Sequence, residues 1–162
     1  FTGFNVLLDI YRQRFPFLAR AYAYFFANIL REHEKKAGLT GSTFFFLSLT
    51  FAYVLFVLVL TVPVRYLAVI YTGFMAGDAA AALIGTSFGR IRLLGSKTLE
   101  GTLAFVAASW IATFWILPQA VHLVFLASTL LALSELILVT IDDNCFAPLI
   151  VFSIFYILGF TG

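Results

Sequence analysis

The chain has 162 residues, of which 62% are hydrophobic and 11% charged, with a formal net charge of +2. Soluble domains carry about a quarter charged residues, so the composition excludes an ordinary water-soluble enzyme; the small net charge carries little information by itself, and no nucleic-acid partner is expected. What remains is an integral membrane protein folded as one domain over residues 1–162, whose single cysteine, Cys145, excludes an internal disulfide and a cysteine-based zinc cluster.

Taken in chain order, residues 1–30 form a weaker amino-terminal segment in which Asp9, Arg12, Arg14 and Arg20 interrupt the apolar runs. Phe4–Ile10 reads as the tail of a helix, and Phe17–Leu30 as a short or interfacial helix. The chain opens at Phe1 without a signal-peptide pattern, and the natural protein is expected to begin earlier. A bilayer core of about 30 Å takes roughly 20 apolar residues in a helix. Residues 43–62 supply the first such span, ended by Pro63, and further spans are expected over Val64–Ile84, Leu99–Leu117, Gln119–Val139 and Phe146–Phe160. The fold class is therefore all-α: a polytopic helix bundle of about five full spans plus the amino-terminal partial segment.

Threading these spans back and forth sorts the charges. Arg31–Ser42, Thr86–Thr98 and Thr140–Cys145 fall on one face and gather Arg31, Lys35, Lys36, Arg90, Arg92 and Lys97, whereas the face of the Pro63 and Pro118 turns has only Arg65. The positive-inside rule then places a multi-pass protein with its charged face in the cytoplasm. Asp78 lies about two turns, or about 10 Å, inside the membrane from that face. With Glu100, Glu135, Asp142 and Asp143 it makes five of the chain's eight acids on one side.

An ionisable group inside a span is costly and marks a functional site by default. Asp78 is therefore a candidate to ligate magnesium or to orient a hydroxyl, and Gly77 and Ala79–Ala82 would let a ligand come close. The competing explanation for Gly73 and Gly77 is close helix packing through a GxxxG pair, which leaves the carboxylate unexplained. In the loop from Gly85 to Gly101, the glycines Gly85, Gly89 and Gly95 free backbone N–H groups for an anion. Arg90 and Lys97 add positive charge there, and Ser96 or Thr98 can cap the next helix, whose positive end favours phosphate. The loop does not fit the Walker pattern, and the plain alternative is a solvated basic loop. Glu100 near a helix start could complete a magnesium site. Glu135 and the Asp142-Asp143-Asn144 run offer hard oxygen ligands that suit Mg2+ or Ca2+ rather than zinc, against the plainer reading of an acidic turn capped by Asn144. The charge run Arg31–Lys36 reads as a surface anchor, and His33 and His122 lack metal-ligand companions.

Gly77-Asp78 through Gly89, then Ser96-Lys97-Thr98-Leu99-Glu100-Gly101-Thr102, then Glu135 and Asp142-Asp143-Asn144 with Pro148 resemble, in order and spacing, the CTP-dependent membrane lipid kinases: dolichol kinase, phytol kinase and CTP-dependent diacylglycerol kinase. Arg31–Glu34 with Thr40-Gly41-Ser42 is similar to that family's stretch before its first long span. The family's further amino-terminal helices and Arg-Lys motif are not in this chain, which leaves room for a partner such as a second copy. The resemblance implies a phosphotransferase that moves the γ-phosphate of CTP to the hydroxyl of a lipid alcohol, a polyprenol, a phytol-like isoprenoid or diacylglycerol, with a divalent cation. On that basis Asp78 binds metal or accepts the hydroxyl proton, and Lys97 with the Gly95 and Ser96 backbone contacts phosphates. Glu100, Asp142 and Asp143 hold metal, and Asn144 meets nucleotide or metal. Three other readings stand beside it. A CTP-dependent phosphatidate cytidylyltransferase would use similar groups, an ion-coupled transporter would show two related halves, which are absent from the sequence, and a scaffold would tolerate neutralised acids.

Overall fold

A computed structural model describes residues 2–17, 20, 24, 40–138 and 143–161. The first helix, α1 (Thr2–Arg14), carries Arg12 and Arg14 in its last turn, where the helix dipole favours positive charge. It lies along α2 (Gly41–Ala52): the Thr2 hydroxyl donates to the Phe46 carbonyl at 3.2 Å. A buried carboxylate fixes the contact. Asp9 accepts from the Thr40 backbone N–H at 2.8 Å and from the Thr40 and Thr43 hydroxyls at 3.1 and 2.6 Å, with the Arg12 guanidinium 3.4 Å away. Thr40 is the N-cap residue of α2 but makes no side-chain cap of its own, so Asp9 supplies negative charge at the helix's positive end from elsewhere in the chain. Of the expected helix over Phe17–Leu30, most lies outside the described residues, as does the Arg31–Lys36 run.

Helix α2 continues through a π-helical stretch, Tyr53–Val59, whose i→i+5 bonds absorb one wide turn. Pro63 follows, and α3 (Val64–Phe88) runs back for 25 residues, about 37 Å at the helical rise. Its buried side chains Leu67, Ile70, Tyr71 and Phe74 recur at three- and four-residue steps. A two-stranded antiparallel ribbon, β1 (Arg92–Leu94) and β2 (Lys97–Thr98), turns the chain through Gly95, whose φ of 55° is the left-handed value that suits glycine. The glycine-containing loop is thus in part a small sheet within an otherwise helical fold. Then come α4 (Leu99–Thr113), a short 3-10 turn at Pro118–Ala120, α5 (Val121–Ile137) and α6 (Asp143–Ile157).

Among the described residues three segments are long and apolar enough to cross a membrane: Gly41–Val59, Val64–Phe88 and Pro118–Ile137. The other two expected spans are helical and apolar, but α4 and α6 have 15 residues each, about 22 Å against a hydrocarbon core of about 30 Å. Leu117 precedes Pro118 and takes φ −130°, ψ 65°, outside the helical region that a following proline disfavours. After Ile157 the chain enters Gly159 at φ 73° while the Phe160 N–H returns to the Phe155 carbonyl at 3.0 Å, a glycine stop.

Small residues set how closely α3 and α4 approach. Gly73, Gly77, Ala81 and Gly85 recur every four residues on α3 and meet Gly101, Phe105 and Ser109 of α4: a Cβ added at Gly73 would stand 2.7 Å from Ser109 Oγ, and one at Gly77 would enter the Phe105 ring. Hydroxyl contacts bind the other pairs, Ser109 to Ser128 of α5 at 3.0 Å, and Ser48 of α2 to the Tyr71 hydroxyl and the Cys145 carbonyl at 2.7 and 2.9 Å. Such interhelical hydrogen bonds and small-residue contacts replace the hydrophobic drive that lipid does not provide. Gly77→Val is expected to destabilise the bundle by about 1–3 kcal/mol, read as a lowered thermal midpoint in detergent. Combined with Phe105→Ala it should lose less than the sum of the two single changes.

Candidate active site

Because the helices alternate in direction, the C-terminal ends of α3 and α5, the N-terminal ends of α4 and α6, and the ribbon all meet at one end of the bundle. That end gathers the ionisable side chains Lys97, Glu100, Glu135 and Asp143. Lys97, on β2, reaches across to α5 and α6, where its ammonium forms a close ion pair with Glu135 Oε1 and stands 3.3 Å from Asp143 Oδ2. Both carboxylate side chains are 4% exposed and the lysine 24%. Two carboxylates this far from water require a counter-charge, and Asp143 also sits in the first turn of α6, where the helix dipole favours an acid. Its other oxygen accepts the Asn144 N–H at 3.1 Å.

The ribbon that carries Lys97 is held at its base. The Leu99 N–H donates to the Ile91 carbonyl at 2.8 Å, and Thr98 caps α4 by accepting the Gly101 N–H at 3.2 Å. Glu100 lies in the first turn of α4, with its carboxylate turned back on the ribbon, accepting the Arg90 N–H at 3.0 Å and the Ile91 N–H at 3.3 Å. Its own backbone N–H first, then that of Arg90, holds the Glu100 carboxyl below its ordinary range, with smaller help from the Ile91 N–H and the Arg90 charge. Gly89 is pressed against Thr98, so that a Cβ there would stand 2.6 Å from Thr98 Cγ2.

Between α3, α4, the ribbon and α5 lies a cavity of about 460 Å³. Asp78, half-buried on α3, lines it together with Gly85, Gly89, Ser96, Lys97, Thr98 and Glu135. One helical step from the small-residue stripe that packs against α4, the side chain at position 78 turns from the interface into the cavity. The same wall includes Thr86, Arg92 and Thr102, which the sequence reading did not single out as site residues. Their signal was present in the spacing: Thr86 stands four residues after Ala82, and Thr102 four after Thr98, on the faces that flank the α3–α4 contact.

The other expected site residues fall elsewhere. Gly77 faces Phe105, while Gly95 forms the ribbon turn. Arg90, Glu100, Asp143 and Asn144 surround the cavity without lining it, and Asp142 lies outside the described residues. Among the described residues no group of three or more His, Cys, Asp or Glu side chains stands close enough to hold a metal ion. The donors fit a hard cation such as Mg2+ in kind, being carboxylate oxygens, and Glu135 and Asp143 already share one cationic partner in Lys97.

A 40-residue segment of the chain is 55% identical to the dolichol kinase of Saccharomyces cerevisiae. The likeness is local, covering 24% of this chain and 8% of the yeast protein. No family model and no solved structure matches the chain.

Proposed function

We propose that the chain is the catalytic part of a multi-pass lipid kinase that transfers the γ-phosphate of CTP to the hydroxyl of a membrane lipid alcohol, with its site on the cytoplasmic face. The observation that carries this reading is the Lys97–Glu135–Asp143 ion cluster beside a cavity walled by Asp78, at one end of an apolar bundle. The local likeness to a dolichol kinase supports it.

Phosphoryl transfer is chiefly a matter of positioning the reactants and neutralising charge on the phosphate oxygens. In this reading Lys97 and the Gly95 and Ser96 backbone hold the phosphates of the nucleotide at the ribbon side of the cavity. Asp78 meets the lipid hydroxyl from α3 and accepts its proton as the oxygen attacks the γ-phosphorus. The bond to the β-γ bridging oxygen breaks, CDP leaves, and the products are a lipid phosphate and CDP. One or two of the carboxylates Asp78, Glu135 and Asp143, together with the nucleotide's own phosphates, would hold a magnesium ion, which when bound neutralises charge on the transferring phosphate. Glu100 acts through the ribbon, since its carboxylate fixes the backbone at Arg90 and Ile91. The apolar helices leave the acceptor's hydrocarbon body in the bilayer while its hydroxyl reaches the cavity.

The chain reconstituted in vesicles with γ-labelled CTP or ATP and a panel of lipid alcohols (polyprenol, phytol, diacylglycerol) tests the reading. It predicts label in the lipid extract, with CTP preferred and divalent cation required. Absence of labelled lipid from every acceptor, in protein shown to be folded, would exclude the proposal.

A further inference from the structure

We propose that the β-ribbon is a membrane-interface anchor, laid by its tip on the anionic headgroup surface of the bilayer that α3 crosses. Helix α3 ends at Phe88 and the chain enters β1 four residues later. Over that short stretch four large apolar side chains are turned outward: Phe88 is 67% exposed, Ile91 55%, Leu93 40% and Leu94 51%. Arg90 and Arg92 are exposed among them. The base of the ribbon is pinned, by the Leu99–Ile91 backbone bond and by the Glu100 carboxylate on the Arg90 and Ile91 N–H groups. That pinning holds the ribbon, and the apolar side chains on it, at the outer surface of this end of the bundle. At 25 residues α3 is longer than the hydrocarbon core needs, so its end emerges at headgroup depth. Apolar side chains interleaved with arginines are the composition of a segment that lies in the interface, with hydrocarbon below and lipid phosphates beside the guanidinium groups. The inference stands on these residues whatever reaction the neighbouring cavity serves. The ribbon also presents Lys97, which pairs in register with Leu94, so the proposed anchor and the ion cluster share one small sheet.

The test places a polarity-sensitive fluorophore on the tip of the full chain. In a Cys145→Ser background, Leu94→Cys carries the label, and Leu93→Cys provides a second position should the first fold poorly. In phosphatidylcholine vesicles the label should emit to the blue of its emission in water. It should be quenched by lipids bearing a nitroxide near the headgroup and be protected from aqueous iodide. Phosphatidylglycerol should strengthen all three effects, and Arg90→Gln with Arg92→Gln should remove that strengthening. A label freely quenched by iodide would overturn the proposal. So would one shielded from both iodide and lipid quenchers, which would mean that another part of the protein covers the tip, and so would indifference to phosphatidylglycerol.

Discussion

Asp78→Asn is expected to lower phosphate transfer by about 10²- to 10⁴-fold, the range that a positioned acid–base group contributes, with the thermal midpoint of the protein nearly unchanged. The two halves of this expectation have separate causes. An amide has the size and shape of the carboxylate, and position 78 is half-buried at a cavity wall, outside the close-packed α3–α4 contact, so the bundle loses no packing. The amide cannot take a proton from a hydroxyl and is a poor partner for a divalent cation. Initial rates at saturating nucleotide, compared with thermal unfolding followed by circular dichroism in the same detergent, check both. A variant that unfolds early would assign Asp78 to the architecture, and a variant of full activity would remove it from the chemistry.

Lys97→Met should do both kinds of damage. The ammonium is shared by Glu135 and Asp143, each with a side chain only 4% exposed, and removing one partner from a buried ion cluster typically costs about 3–5 kcal/mol. A clear fall in thermal midpoint is expected together with loss of transfer. The structural share can be separated from the chemical one: Lys97→Met combined with Glu135→Gln leaves fewer like charges to repel, and should regain much of the stability while regaining no activity. If the double variant is as unstable as the single one, the ammonium is not what holds these carboxylates in place.

Much of this end of the molecule was legible in the sequence because alternation of helices is a counting argument. Once apolar segments are threaded through a bilayer, Asp78, Lys97, Glu135 and Asp143 must fall on one side, and the structure brings Lys97 to both Glu135 and Asp143. The ribbon was not legible. Strands of three and two residues are too short to show alternation, and glycine with basic residues reads equally well as a loop. Nor does sequence give a side chain's direction: Glu100 stands at a helix start as expected, yet its carboxylate turns back toward the ribbon. For Gly77 the packing explanation describes the observed environment, because the Phe105 ring occupies the space a side chain would take. The capping of α2 by Asp9 joins positions 31 residues apart, a contact that no local pattern encodes. Apolar composition continues past both 15-residue helices: α4 stops at Thr113, short of the Leu117 that Pro118 holds outside the helical region, and α6 stops before Gly159 at positive φ.

In the proposed reaction a lipid hydroxyl attacks the terminal phosphorus of CTP. Parallel reactions of the reconstituted chain with CTP labelled at the α- or the γ-phosphate, followed by separation of the lipid products, test it most directly. The expected result is γ-label in a lipid monophosphate and no α-label in any lipid. Transfer of α-label into lipid, with release of pyrophosphate, would contradict it and identify attack at the α-phosphorus instead.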